Sequence, residues 1–99
     1  MSIREIASAL LFPEGPVALA DGSVLVASVA GCRVLRVDQG GAVSVVAEID
    51  GAPNGLAIGP DGACYVANNG GGKWVVADDG SARPAGIAPD YRGGFIDRI

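Results

Sequence analysis

Short apolar runs, each broken by a glycine-bearing joint, fill most of the chain. The runs at 15–20, 23–29, 32–38 and 42–48 predict four strands. The joints Asp21-Gly22, Ala30-Gly31 and Gln39-Gly40-Gly41 have the length and chemistry of tight turns, so the strands form an antiparallel meander. Val24-Leu25-Val26-Ala27 is apolar on both faces, as expected of a strand covered from both sides. In the third strand Arg33, Leu35 and Val37 face one way and Val34 and Arg36 the other, so one face is only partly apolar.

The pattern then starts again. Strands are predicted at 54–59 and 63–67 around a Pro60-Asp61-Gly62 turn. Residues 68–72 read as a loose polar turn, 73–77 as a short strand, and 78–92 as a long insertion rich in Pro, Gly and Asp. The stretch 93–99 echoes 31–37, with Arg98 against Arg36. At the other end Ile3, Ile6, Ala7, Leu10 and Leu11 fit one helical face, yet 3–7 also suits a short strand. The strand is the expectation, with its sheet partner outside this chain.

Two segments match at an offset of 40 residues: Pro13 falls on Pro53, Asp21-Gly22 on Asp61-Gly62, Val26-Ala27 on Val66-Ala67 and Gly31 on Gly71. Self-similarity at about 40 residues is the period of a four-stranded propeller blade. The predicted fold is therefore all-β, a partial β-propeller in one domain, with blades at about 13–49 and 53–99. Propellers close with about 4–8 blades, and a repeat cannot bury its apolar faces alone. The chain is thus expected to be the N-terminal part of a longer ring, as a predicted strand running to its last residue also suggests.

Charge and composition remove several classes of function. The net charge is −4 and the 7 basic residues are unclustered, which leaves no footprint for nucleic acid or an anionic membrane. There is no histidine, so this chain cannot assemble a Ser-His-Asp triad, a His-bearing zinc site or a histidine-dependent lyase centre. Cys32 and Cys64 form no CxxC pair and read as two buried reduced thiols, with a disulfide as the alternative. The apolar run 6–12 is interrupted by Ser8 and too short to span a bilayer, and Ala7-Ser8-Ala9 lies inside it. No signal peptide and a cytoplasmic location are expected. Gly70-Gly71-Gly72-Lys73 fails as a phosphate loop, because Ala67 stands where its first glycine belongs and Trp74 where Ser or Thr belongs.

What remains is a small set of candidates. Glu14 is held between Pro13, Gly15 and Pro16 at the start of an innermost strand, where its carboxylate could reach a cation in a central channel or simply cap a turn. Asn54, its repeat equivalent, could orient a ligand through its amide or form an Asx turn. Asn68 and Asn69 suit a turn, or a loop touching substrate at the channel mouth. Asp21 and Asp61 belong to hairpin turns, and Tyr65, Trp74, Tyr91 and Phe95 to packing.

At FPEGP (12–16), PNGLAIGPDG (53–62), YVANNGG (65–71) and DYRGGFIDRI (90–99) the sequence resembles the senescence marker protein/gluconolactonase/luciferin-regenerating family of six-bladed propellers. The resemblance covers nearly the whole chain and about a third of the family's fold. It implies a divalent cation, usually calcium, in the central channel, with Glu14 as one ligand and the others on later blades. It also implies hydrolysis of a small-molecule lactone or ester, by catalytic residues on later blades. The chain alone is expected to be inactive; one alternative is that several copies self-associate through exposed blade edges and bare blade faces to close a ring. The other is a non-catalytic binding or scaffold module.

Overall fold

The computed structural model describes residues 1–99. It contains nine strands and no helix: β1 (Pro13–Ala18), β2 (Val24–Ser28), β3 (Arg33–Val37), β4 (Val43–Glu48), β5 (Pro53–Ile58), β6 (Cys64–Asn68), β7 (Gly72–Val76), β8 (Ala82–Ile87) and β9 (Phe95–Arg98). Three antiparallel sheets result. Sheet I has the order β1-β2-β3-β4, sheet II the order β5-β6-β9, and sheet III is the β7-β8 hairpin. The sheets are open, and no helix is long and apolar enough to cross a membrane.

One joint recurs at 19–23, 38–42, 59–63 and 77–81. The amide of the first residue donates to the carbonyl of the fifth, and that of the fourth to the carbonyl of the first. The fourth residue is always glycine at positive φ: 87° at Gly22, 89° at Gly41, 79° at Gly62 and 87° at Gly80. A left-handed residue is what turns the chain back here, and glycine adopts it without a Cβ clash.

The pairing of β2 with β3 recurs between β6 and β9. Leu25 lies opposite Arg36 and Tyr65 opposite Arg98; Ala27 lies opposite Val34 and Ala67 opposite Ile96. The echo at 93–99 thus forms the third strand of sheet II. The insertion before it is more ordered than the sequence suggests: Ala82–Ile87 pairs with Gly72–Val76 through the Asp79-Gly80 turn.

Residues 1–12 form no strand, contrary to the sequence expectation. The segment crosses a face of sheet I, where Ala7 and Leu10 pack on Val26, Leu35 and Val37. Its apolar side chains find that face rather than a strand edge, and positive φ at Ala9, Leu11 and Phe12 bends the backbone away from an extended path.

The main core lies between sheets I and II. Leu25, Val34, Ile49, Cys64 and Val66 are buried there, with Val17, Leu19, Ala47 and Leu56 at its margin. Burying such side chains contributes about 1.5–3 kcal/mol each. Tyr91 and Phe95, expected in packing, are 44% and 46% exposed. Phe95 sits on β9, the edge strand of the three-stranded sheet, with no neighbour beyond it.

Candidate functional site

The edge strands β1 of sheet I and β5 of sheet II meet at Gly15. A Cβ there would stand 2.7 Å from the Asn54 carbonyl oxygen and 2.9 Å from the Gly55 Cα, and Gly15 has φ +57°. Only glycine lets the two backbones approach so closely in that conformation. The consequence is positional, since Glu14 and Asn54 are the neighbours of the two touching glycines.

Glu14, Asn54 and Asn69 line one cleft of about 290 Å³, together with Phe12, Lys73 and Trp74. Glu14 is exposed and Asn54 half-buried. The Asn54 Nδ2 donates to Asn69 Oδ1 at 3.4 Å, which leaves the Asn54 Oδ1 free to accept. Phe12 and Trp74 pack in a tilted arrangement, 4.9 Å between ring centroids with 56° between planes, joining the first strand's approach to the β7-β8 hairpin. Lys73 and Trp74 enter the cleft because Trp74 of that hairpin packs on Phe12, the residue just before β1. The sequence marked neither as a site residue, although both follow directly on Asn69 and its glycines.

Asn68 belongs elsewhere. It is 4% exposed, and its Oδ1 accepts from the amides of Ala52 at 3.0 Å and Gly70 at 2.8 Å. Its Nδ2 donates to the Asp50 carbonyl at 2.7 Å and to Asp97 Oδ2 at 2.9 Å. An amide with two accepted and two donated bonds has its capacity filled. Asn68 ties the approach to β5, the end of β6 and β9 together.

The turn aspartates are structural in the same sense. Asp21 accepts from the Ser23 hydroxyl and amide and pairs with Arg36. Asp61 accepts from the Tyr65 hydroxyl at 2.7 Å and the Ala63 amide at 3.1 Å, and pairs with Arg98 at 3.1 Å. Asp79 accepts from the Ser81 hydroxyl and amide. These bonds favour the charged form and hold all three carboxyls below the usual carboxylate range, the hydroxyl bond being the largest cause in each. Cys32 and Cys64 are free thiols, and burial pushes both up.

The oxygen donors of the cleft suit a hard cation in kind: one carboxylate and two side-chain amides. They are fewer than the 6–8 oxygens calcium takes. No group of three His, Cys, Asp or Glu side chains gathers anywhere in the chain. A glycine-lined cleft of about 450 Å³ that also carries Asp50, Asp90 and Arg92 includes none of the four candidate site residues Glu14, Asn54, Asn68 and Asn69. Compared with protein-family models and with curated proteins, the sequence matches none.

Proposed function

We propose that sheets I and II are successive blades of a six-bladed propeller of the senescence marker protein/gluconolactonase/luciferin-regenerating type, and that Glu14 is one ligand of a divalent cation, calcium by preference, at its axis. The observation that carries this reading is the shared cleft. Repeat-equivalent residues of two sheets, Glu14 and Asn54, come to one place because their strands touch at Gly15 and Gly55. In a ring of such sheets the innermost strands border the channel, and each would bring one such residue to it.

When bound, the cation would polarise a lactone or ester carbonyl and make a water more acidic. Glu14 supplies negative charge. Asn54 and Asn69 offer amide oxygens and an N–H to a polar ligand. Trp74 and Phe12 form an apolar wall on one side of it.

The 99-residue chain, with one carboxylate in the cleft, should bind calcium only in the weak range of about 10⁻⁴–10⁻³ M and hydrolyse lactones negligibly. Calorimetric titration of Ca²⁺ into the chain and into Glu14→Gln tests this: the heat should vanish in the variant. Equal binding by both proteins would refute Glu14 as a ligand. It would favour the non-catalytic binding reading, which needs no charge at position 14.

A further inference from the structure

We propose that copies of this chain associate head to tail, the outer face of sheet II in one copy docking on the outer face of sheet I in the next. The inference rests on reading the two sheets as successive repeats. Within one chain, the face of sheet I that bears Leu25, Ala27 and Val34 packs toward the face of sheet II that bears Cys64 and Val66. The repeat register places Tyr65, Ala67 and Ile96 of sheet II at the positions of Leu25, Ala27 and Val34. It likewise places Val24 and Val26 of sheet I at the positions of Cys64 and Val66. The outer face of sheet II is therefore a second copy of the face that sheet I already buries, and the outer face of sheet I a second copy of the face that receives it. Such faces fit each other and not themselves, which makes the contact heterologous.

Exposure identifies where the contact falls. Val34 is 0% exposed, whereas Ile96, its counterpart, is 69% exposed. The whole chain exposes 6301 Å², roughly 1,100 Å² more than a compact monomer of its 9.8 kDa would. A standard interface takes about 800 Å² from each partner, so the excess supplies the one free face of each copy, while the second is opened only when residues 1–12 move aside.

The receiving face is covered only by residues 1–12. Ala7 and Leu10 are the apolar side chains seated on it. A cleft of about 410 Å³ remains beside them, and Ala9, Leu11 and Phe12 hold φ of 59°, 53° and 64°, which side-chain-bearing residues rarely adopt. Val26, Leu35 and Val37 beneath this cover are 6–7% exposed, so a docking sheet has to displace it and bury the same three side chains in its place. With two large sheets per copy and about 4–8 sheets per closed ring, the assembly closes at two to four copies.

Sedimentation velocity of the full chain between about 1 and 100 µM tests the proposal, since mass action drives association. The mass should rise from 9.8 kDa toward two to four times that value. Ile96→Asp and Ala67→Asp, both at exposed positions, should stay at the monomer mass with an unchanged far-UV circular dichroism spectrum. Leu10→Ala should associate at several-fold lower concentration. A single 9.8 kDa species throughout, or association of both Asp variants like the parent, overturns the proposal. A monomer that still binds Ca²⁺ through Glu14 would overturn the assembly while sparing the cation site.

Discussion

Gly15 meets Asn54 so closely that any side chain at position 15 would press on the Asn54 carbonyl oxygen, 2.7 Å from an added Cβ. This contact sets the spacing of the two edge strands and, with it, the cleft. Gly15→Ala combines that clash with a left-handed backbone, each of which costs about 1–3 kcal/mol. The urea midpoint should fall accordingly, and Ca²⁺ binding should weaken even though Glu14 is intact. Unchanged stability would mean that the strands do not touch there.

Asn68 and Asn69 separate structure from site. Asn68→Ala leaves the amides of Ala52 and Gly70 without their acceptor and should cost about 2–4 kcal/mol. Asn69→Ala removes a single long contact with Asn54 and should cost under about 0.5 kcal/mol while altering ligand binding in the cleft. Denaturant titration of both variants, followed by Trp74 fluorescence, gives the comparison.

The three turn aspartates tie stability to acid. Their carboxyls titrate below the usual value of 3.8 when folded. The stability they contribute is thus fully present above about pH 4 and is lost as pH falls through the lower folded values. Asp21→Asn and Asp61→Asn should be less stable than the parent at pH 7, and the difference should shrink below about pH 4. Urea midpoints from pH 7 to 2.5 measure it; a gap that persists at the lowest pH would assign the effect to shape rather than charge.

Thiol reactivity should follow burial. Cys64 is 6% exposed in the main core and Cys32 half-buried, and both are pushed toward the protonated form. At pH 7.5 a disulfide reagent should modify Cys32 slowly and Cys64 only at the rate of unfolding, with two equivalents taken up at once in denaturant.

Much of the β-structure is legible because its turns are. Asp21-Gly22 and Asp61-Gly62 mark hairpins whatever surrounds them, and the register between 31–37 and 93–99 follows from Arg36 and Arg98. The hairpin β7-β8 is hidden although Asp79-Gly80-Ser81 repeats Asp21-Gly22-Ser23, because Pro84 and Gly86 break the strand pattern that follows. Residues 1–12 mislead for a different reason. Alternation shows that a segment can be extended, not that a free edge is near it.

The candidate site is legible by half. The repeat pairs Glu14 with Asn54, and the structure brings both into one cleft with Asn69. Asn68 separates from Asn69 because successive side chains at the end of a strand point to opposite sides. Lys73 and Trp74 carry no signal of their own, since their place depends on the packing of Trp74 against Phe12.

Because Trp74 is the only tryptophan and lines the cleft with Glu14, terbium used in place of calcium gives the most direct test. Excitation of Trp74 should produce sensitised terbium emission that saturates, is competed by Ca²⁺, and disappears in Glu14→Gln but persists in Asp21→Asn. Emission of equal strength from the parent chain and Glu14→Gln would contradict a cation held by Glu14 where β1 and β5 meet.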